Sequence, residues 1–462
     1  MESETLLDGP AEHKPPAHEL ARPVQTDERI NSVDVLRGFA LLGILLMNIQ
    51  NLGIPGAAYG NPSAWAGATG WNLYYWVTNQ ILFEGKMRFL FSMLFGAGAV
   101  LLTERAEQRG AGIGAADIYF RRNLWLVLFG MVHGYFIWDG DILYSYGMTG
   151  LGLFVFRNLG VKKLLIWAGV VFLMINISTA GFVYSQWNEK SEGLAAIKVE
   201  EKKRTKAQKK TVESYQGILD REDIVKRKVK IEEEIADMRK GYGANLAHRA
   251  RGTFQVETAS MLQFILWDVL FPMLLGMALY KAGILSALRS AGFYARLSLW
   301  GYFLGIPVLA YATKLVVDSH WDILTEPWLL ATYEYGRLTV GLGHLGLVLL
   351  IYKLGWLRPV SYLLSKVGQM ALTNYLLTSI LMTLFFNGYG LGKFGSLERH
   401  QLLFVVFSMW SINLILSPIW LHYFRFGPVE WAWRSLTYWK RQPMRLHSAT
   451  SGESLPELPA AV

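Results

Sequence analysis

The segment 32–52 determines the class of fold, and it reads SVDVLRGFALLGILLMNIQNL. Asp34 and Arg37 are the only charged residues among its 21 positions, and both lie near its beginning. A helix that crosses a bilayer needs about 20 mostly apolar residues, at a rise of about 1.5 Å per residue. The segment therefore predicts a membrane-spanning helix close to the beginning of the chain.

The composition of the whole chain agrees with this prediction. Of the 462 residues, 52% are hydrophobic and 18% are charged, whereas ordinary soluble domains carry about 25% charged residues. These values exclude a disordered chain, a coiled coil and a disulfide-rich secreted scaffold. The chain contains no cysteine, which also excludes thiolate metal sites and cysteine nucleophiles.

Nine further apolar segments are long enough, or nearly long enough, to cross a membrane. They are 72–104, 117–138, 142–157, 162–184, 258–282, 293–317, 328–353, 368–387 and 400–424. Segment 142–157 is short, and 72–104 is too long for one straight span, so it forms either one helix with a surface portion or two pieces. We therefore predict an all-α polytopic membrane protein with about ten transmembrane helices.

The Lys and Arg residues of the short loops set the orientation, because they favour the cytoplasmic side. They accumulate in alternate loops, whereas loop 53–71 has no charged residue and loop 139–141 has two acids. This alternation predicts both termini in the cytoplasm, and it accounts for the net charge of +9 without a nucleic-acid partner. Segment 1–28 is polar and lacks the apolar core of a cleavable signal peptide. It and segment 441–462 are predicted to be disordered cytoplasmic tails.

A charged block interrupts the apolar chain at 185–255. Its 71 residues include 29 charged side chains, while the other 391 residues include 52. Long loops cross the membrane largely regardless of their charge. We therefore predict a charged periplasmic helical insertion at 185–257, between two membrane halves of five spans each, 29–184 and 258–440. The insertion is either a solvated cap without activity or the active part of a sensor or assembly factor.

Charged groups inside spans are costly and usually functional. Asp34 and Arg37 are three residues apart on one helix face and can pair, or Arg37 can contact an anionic group on the cytoplasmic side. Glu84, Lys86 and Arg88 fall near the middle of 72–104. Glu84 and Arg88 can pair at their spacing of four residues, and the group indicates either a polar cavity or a break in the helix at Gly85.

The third span ends in a histidine followed by two acids, in the order His133, Asp139 and Asp141. A histidine beside a carboxylate suits proton transfer near neutral pH. Hydrogen-bonded packing of the histidine and binding of a cation are the alternatives. The spacing matches no established metal-ligand pattern, so no metal is predicted.

Two later spans contain ionisable groups as well. Asp268 is expected either to face a central cavity or to pair with a basic residue such as Lys86 or Arg88. His344 lies among glycines that allow close helix packing, so we interpret it as a packing residue.

Five motifs in order suggest a family. They are Asp34-x2-Arg37-Gly38, Phe95-Gly-Ala-Gly98, His133-Gly-x4-Asp139-Gly-Asp141, Gly368-x5-Asn374-Tyr375 and Gly427-Pro-Val-Glu430-Trp-x-Trp433-Arg434. The chain resembles the YeiB-like family of bacterial inner-membrane proteins, whose C-terminal half is classed as a domain of unknown function. The resemblance covers about 30–440 apart from the charged block. It implies a multi-pass protein of the bacterial inner membrane.

This family is in turn distantly similar to membrane acyltransferases. These include the heparan-α-glucosaminide N-acetyltransferase type and bacterial O-acyltransferases that modify surface glycans. The shared part is the pattern Asp34…Arg37-Gly38 with Asn48 further along the first span. The histidine that the glucosaminide type carries in the following outer loop is missing, because loop 53–71 has no histidine. His133 would have to replace it.

The first functional hypothesis is therefore a transmembrane acyltransferase with a cytoplasmic donor, acyl-CoA, and a lipid or glycan hydroxyl as acceptor. His133, oriented by Asp139 or Asp141, would be the base. The candidate substrate-binding residues are Asp34, Arg37, Asn48, Glu84, Lys86, Arg88, Asp268 and Asn374. Membrane lipids are the expected partners.

The second hypothesis is a permease or exporter of a small polar solute. In this case the buried residues Asp268, Glu84, Arg88 and His133 would form a proton relay. Solute flux without acyl turnover would distinguish the second hypothesis from the first.

Overall fold

The computed structural model describes residues 29–110, 112–322 and 325–446, with the side chains of 218–222 and 224 left out. The predicted tail 1–28 and residues 447–462 of the predicted tail 441–462 lie outside the described residues. Residues 441–446 are described, and they pair with the end of the last long helix. The backbone N–H of Arg425 donates to the carbonyl of Met444 at 2.9 Å, and Phe424 and Arg445 form an isolated antiparallel bridge.

A four-residue helix forms at Ala57–Gly60. In the described part of the chain, six longer helices begin before the charged block, and the last of them continues into it. They are α1 (Asn31–Gly53), α2 (Gly70–Thr78), α3 (Lys86–Gln108), α4 (Ile113–Phe136), α5 (Leu143–Leu153) and α6 (Val161–Ile197). A π-helical turn at Asn79–Phe83 and a left-handed Gly85, with φ of 74°, separate α2 from α3. Glycine adopts this conformation without steric cost. The segment 72–104 is therefore interrupted at Gly85.

Three helices form most of the charged block, and seven follow it. The first three are α7 (Lys206–Glu222), α8 (Ile224–Met238) and α9 (Tyr242–Gln255). After a π-helical stretch at Val256–Ile265 come α10 (Leu266–Lys281), α11 (Ala291–Asp318), α12 (Pro327–Leu354), α13 (Arg358–Gln369), α14 (Ala371–Phe386), α15 (Leu402–Tyr423) and α16 (Pro428–Tyr438). The chain bends by 82° between α13 and α14.

The all-α polytopic architecture is confirmed. Among the described residues, seven helical stretches are long and apolar enough to cross a membrane, and the bent pair α13–α14 makes an eighth if it counts as one span. The predicted segments 117–138 and 142–157 form α4 and α5, which pack against each other. Helix α5 is shorter than a membrane span, as its sequence indicated.

The charged block lies against one end of the helix bundle. The Glu234 carboxylate on α8 accepts a hydrogen bond from the backbone N–H of Gly56 at 3.0 Å. Arg239 donates to the carbonyl of Phe394 at 2.9 Å, and Thr253 donates to the carbonyl of Gly134 at 2.9 Å. The block therefore covers the end where the loops predicted to be periplasmic meet.

Glycines allow two pairs of helices to approach closely. A Cβ atom on Gly38 would lie 2.0 Å from the Leu364 carbonyl oxygen, and one on Gly368 would lie 1.9 Å from the Asp34 carbonyl oxygen. Gly96 and Gly276 stand in the same relation at the crossing of α3 and α10, with 2.0 Å and 1.9 Å to facing carbonyl oxygens. Backbone contact through small residues is a common basis of helix association in membranes.

We expect Gly368→Ala to lower the thermal stability of the purified protein substantially. The added methyl group meets backbone, which cannot rotate away, so overpacking should cost about 1–3 kcal/mol. Gly169→Ala on α6 is the matched control, because no atom lies within 4 Å of its Cβ position. Equal melting temperatures for the two variants in detergent would show that the crossing of α1 and α13 tolerates a side chain.

Candidate functional site

The first part of the candidate site is a cavity of about 230 Å³ at the end of the bundle opposite the charged block, which we call the inner cavity. Its charged lining residues are Arg29, Asp34, Arg37, Arg122, Glu430 and Arg434. Most of the remaining lining is apolar and comes from α3, α4 and α5, including Phe91, Leu94, Phe95, Leu102 and Leu126. The cavity thus combines a charged cluster with an apolar wall.

The two carboxylates of the inner cavity already have partners. Asp34 accepts a hydrogen bond from Arg37 at 2.8 Å. Glu430 on α16 accepts from the backbone N–H groups of Leu372 and Thr373 at 2.7 and 3.0 Å, and from the Thr373 hydroxyl at 2.5 Å. Glu430 therefore caps the N-terminus of α14, which is a favourable position for an anion.

Three arginines of this cavity have no carboxylate within ion-pair distance in the described part of the chain: Arg29, Arg122 and Arg434. Arg122 lies over the Trp433 ring, 4.6 Å from its centroid, and Arg434 lies 4.7 Å from the centroid of Phe426. Such contacts attract a cation but do not neutralise it. Burial lowers the pKa of Arg434 to about 10, and the neighbouring Arg29 and Arg122 also lower this pKa. The inner cavity is therefore cationic.

The other lining residues of the inner cavity include two tyrosines, Tyr146 and Tyr375. The Tyr375 ring lies 5.0 Å from the ring of His133, measured between centroids. Tyr375 also lines a small second cavity of about 20 Å³ that contains Asn48. This volume suffices for about one water molecule. Tyr375 therefore lies between the inner cavity, His133 and Asn48.

His133 and Asp141 form a buried pair. The His133 Nδ1 atom lies 2.8 Å from Asp141 Oδ1, and the second Asp141 oxygen accepts from the backbone N–H of Tyr144 at 2.7 Å. His133 Nε2 is buried and has no hydrogen-bond partner among the described residues. A carboxylate at Nδ1 favours the tautomer that carries its proton there, which leaves Nε2 as a basic lone pair. The pair is thus arranged like a general base and its orienting acid.

A third cavity, of about 370 Å³, lies at the end of the bundle that the charged block covers, and we call it the outer cavity. Glu84, Lys86 and Tyr333 are among its polar lining residues. The Tyr59 hydroxyl donates to Glu84 at 2.6 Å, and the Lys86 ammonium donates to the Gln80 carbonyl at 2.7 Å. Lys86 is only 1% exposed, so a charged group is buried at the cavity wall.

An ion network lies beside the outer cavity. Arg88 lies 3.2 Å from Asp268, which also contacts the fully buried Arg337. Arg337 contacts Glu334 at 2.8 Å as well. The two arginines and two carboxylates balance in formal charge, as buried charges generally require. The predicted pairing of Asp268 with Arg88 is therefore correct, and Arg337 is a second partner.

Arg88 contacts a lining residue of each of the two large cavities. The hydroxyl of Tyr146, which lines the inner cavity, lies 2.7 Å from Ser92 Oγ and 3.3 Å from the Arg88 carbonyl. The Arg88 guanidinium in turn donates to the hydroxyl of Tyr333, which lines the outer cavity, at 2.9 Å. These contacts form a polar connection through the bundle.

A metal centre receives no support from this arrangement. Within the ranges that the structure describes, no group of three or more His, Cys, Asp or Glu side chains is placed to hold a metal ion.

Comparison with known proteins gives the family. The profile described as "Protein of unknown function (DUF418)" matches residues 279–440. The chain is 32% identical over 431 residues to the "uncharacterized protein YxaH" of Bacillus subtilis (strain 168), covering 92% of this chain and 98% of that protein. It is also 32% identical over 428 residues to the "uncharacterized protein YeiB" of Escherichia coli (strain K12), covering 89% of this chain and 96% of that protein. The chain belongs to the YeiB-like DUF418 family. No solved structure matches it.

The site residues predicted from the sequence of this YeiB-like protein lie in several separate parts of the structure. Asp34 and Arg37 line the inner cavity, and Glu84 and Lys86 line the outer cavity. Arg88 and Asp268 belong to the ion network, His133 pairs with Asp141, and Asn48 lines the small cavity near Tyr375. The residues do not converge on one cavity, although Tyr146 and Tyr375 connect their neighbourhoods.

Three details differ from the sequence interpretation. Glu84 and Arg88 do not pair, because the left-handed Gly85 breaks the helical spacing between them. Asp141, and not Asp139, contacts His133. Asn374 lines no described cavity, because its amide donates to the Val367 carbonyl at 3.1 Å and to Ser417 at 2.9 Å, which holds α14 to its neighbours.

Sequence reasoning missed several residues of these cavities. The sequence interpretation counts Arg122 and Arg434 among the loop residues that report orientation, and it assigns no role to Arg29. Glu334 and Arg337 lie three residues apart in an apolar span, and this spacing could have identified them as a buried pair.

The half-buried Asp139 predicts a pH dependence of stability in this YeiB-like protein. Burial raises the pKa of Asp139, so the folded protein binds this proton more tightly than the unfolded chain does. Stability should therefore fall as the pH rises above the unfolded value of about 3.9 and through the folded pKa. We expect Asp139→Asn to raise the melting temperature at pH 7 and to have no such effect below about pH 3.9. A stabilisation that does not change with pH would contradict this account.

Proposed function

We propose that this protein is a transmembrane acyltransferase of the bacterial inner membrane, with both termini in the cytoplasm. It takes an acyl group from an anionic cytoplasmic donor, acyl-CoA, and transfers it to a lipid or glycan hydroxyl. The observation that carries the proposal is the inner cavity. Its unpaired arginines suit an anionic head group, its apolar wall suits an acyl chain, and its Tyr375 contacts the His133–Asp141 pair.

The arginines provide the binding step. Four arginines and two carboxylates line the cavity, so two positive formal charges remain unbalanced, and an anion that enters is stabilised by Arg29, Arg122 and Arg434. Guanidinium groups bind phosphate groups, such as those of CoA, through paired hydrogen bonds. The acyl chain then lies along apolar residues such as Phe95 and Leu126.

His133 provides the proton-transfer step. Its Nε2 atom takes the proton of the acceptor hydroxyl while the hydroxyl oxygen attacks the carbonyl carbon of the thioester. The carbon–sulfur bond breaks, and the leaving thiolate takes the proton back from His133. The products are an ester and a free thiol, and Asp141 stabilises the imidazolium that forms between the two proton transfers.

The proposal is tested by the binding and turnover of radiolabelled palmitoyl-CoA on the full-length protein in nanodiscs. The double variant Arg122→Gln/Arg434→Gln should bind this donor at least about tenfold more weakly, a loss of about 1.4 kcal/mol. Arg296→Gln is the matched control, because Arg296 is exposed on α11 and lies outside the cavity lining. Absence of binding to the wild-type protein, or equal binding by both variants, would refute the proposal.

The second candidate function is a permease or exporter of a small polar solute. The polar connection from Tyr146 through Arg88 to Tyr333 favours it, because this connection joins cavities at opposite ends of the bundle. Buried ionisable groups along such a connection can carry protons. Solute flux that depends on a pH gradient in proteoliposomes, without acyl turnover, would support transport over acyl transfer.

A further inference from the structure

The outer cavity presents two opposite charges that do not neutralise each other. Glu84 and Lys86 both line it, on either side of the left-handed Gly85. No ion pair joins them within 4 Å in the described part of the structure. Glu84 accepts only the Tyr59 hydroxyl, and Lys86 donates only to the Gln80 carbonyl. One carboxylate oxygen and two ammonium hydrogens therefore lack a protein partner among the described residues.

The separate charges of Glu84 and Lys86 favour a ligand that carries both a positive and a negative group. A charge buried without an opposite charge costs free energy. A ligand with a single charge would compensate the charge of one of the two residues. It would leave the charge of the other residue uncompensated, or be repelled by it. Lys190 and Glu326 also line the cavity with opposite charges, so the formal charge of the lining is balanced. In this respect the outer cavity differs from the cationic inner cavity.

The cavity also has an apolar side that reaches the surface of the bundle. Phe182, Leu309 and Leu330 line this side. Phe182 is 51% exposed and Leu330 is 41% exposed, and both lie on helices that are long and apolar enough to cross the membrane. Exposed apolar side chains on such helices face lipid. The apolar side of the cavity is therefore next to the bilayer.

We propose that the outer cavity binds an amphiphilic zwitterion, with the ligand's ammonium group at Glu84 and its anionic group at Lys86. The apolar part of the ligand lies along Phe182, Leu309 and Leu330. Two sources carry this chemistry: a free amino acid with an apolar side chain, and the head group of an ethanolamine phospholipid. The inference goes beyond the proposed function and does not rest on it, because binding of the zwitterion requires no acyl transfer.

Two binding measurements on the full-length protein in maltoside detergent test the inference. The first compares L-leucine with isopentylamine and 4-methylpentanoate, which each keep its carbon chain and one of its two charges, by calorimetric titration. The second compares the melting temperature in mixed micelles with phosphatidylethanolamine or phosphatidylglycerol. We expect L-leucine to bind at least about tenfold more tightly than either singly charged analogue, or phosphatidylethanolamine to stabilise the protein where phosphatidylglycerol does not. The first result identifies an amino acid as the source, and the second identifies a lipid.

Variants connect the binding to the site. Glu84→Gln and Lys86→Met should each weaken the binding of the zwitterion about tenfold, while palmitoyl-CoA binding stays unchanged. Arg122→Gln/Arg434→Gln in the inner cavity should show the reverse, so the two proposals can fail separately. Lys86→Met removes a buried charge and can affect folding. The result with the milder Glu84→Gln variant is therefore the decisive test of the inference. The inference is wrong if neither zwitterion binds, if one charge suffices, or if Glu84→Gln has no effect.

Discussion

His133→Ala is expected to lower acyl transfer about 10²–10⁴-fold, which is the usual range for loss of a general base. His133 Nε2 is the single buried imidazole nitrogen without a hydrogen-bond partner in the described part of the chain. Its other nitrogen is held by Asp141 at 2.8 Å. Removal of the imidazole takes away the proton acceptor without touching the arginines of the inner cavity, so palmitoyl-CoA should still bind with unchanged affinity.

His422→Ala is the matched control, because His422 is exposed near the end of α15 and lines none of the described cavities. Its activity should equal that of the wild-type protein. Single-turnover release of CoA from bound palmitoyl-CoA, in the presence of membrane lipid as acceptor, measures the chemical step. Full activity of His133→Ala in a folded protein would exclude His133 as the base and favour the permease hypothesis.

Asp141→Asn separates the two members of the pair. The amide can still accept from the backbone of Tyr144, so the loop should stay in place. It no longer stabilises the imidazolium, and it can support the wrong tautomer. We therefore expect a loss of turnover with preserved donor binding. A histidine that serves only for packing would show no such separation.

His344 illustrates how the structure distinguishes two histidines that look similar in the sequence. The sequence places both in spans beside glycines. His344 has a partner for each ring nitrogen, the Tyr302 hydroxyl at 2.7 Å and the Leu82 carbonyl at 2.7 Å. The interpretation of His344 as a packing residue therefore fits its contacts, whereas the free nitrogen of His133 became visible only in three dimensions.

The helices followed from the sequence because hydrophobic segments of membrane length have few alternatives to the helix in lipid. The motif glycines Gly38 and Gly368 were also recognised, but their role at one backbone crossing was not. The contact joins positions 330 residues apart in the chain. A local sequence pattern cannot predict a contact between residues so far apart in the chain. The contact between Arg337 and Asp268 could not be predicted for the same reason.

The inner cavity is a second feature that the sequence alone could not predict. Basic residues near the ends of spans report orientation by the positive-inside rule, and this reading explained Arg122 and Arg434 fully. Only their convergence with Arg29 on one cavity indicates an additional role. Under the proposed function, the same basic residues orient the protein and bind the donor, and the sequence does not separate these two roles.

The second large effect is expected for the ion network. Asp268→Asn leaves Arg88 and the fully buried Arg337 with Glu334 as their one remaining carboxylate in direct contact. Removal of one partner from a buried ion pair typically costs about 3–5 kcal/mol, because the remaining charge stays buried without compensation. We expect a strongly reduced melting temperature and poor accumulation of the variant in the membrane.

Asp117→Asn is the matched control. Asp117 pairs with Arg121 at 2.5 Å, but its side chain is 59% exposed, and exposed pairs contribute about 0–1 kcal/mol. Adding Arg337→Met to Asp268→Asn should recover part of the lost stability, because one arginine (Arg88) and one carboxylate (Glu334) remain and the formal charge of the network is balanced again. Such non-additivity is the signature of a direct contact. If Asp268→Asn were as stable as Asp117→Asn, the network would lie in water, and the outer cavity would then be part of an aqueous path through the bundle, as transport requires.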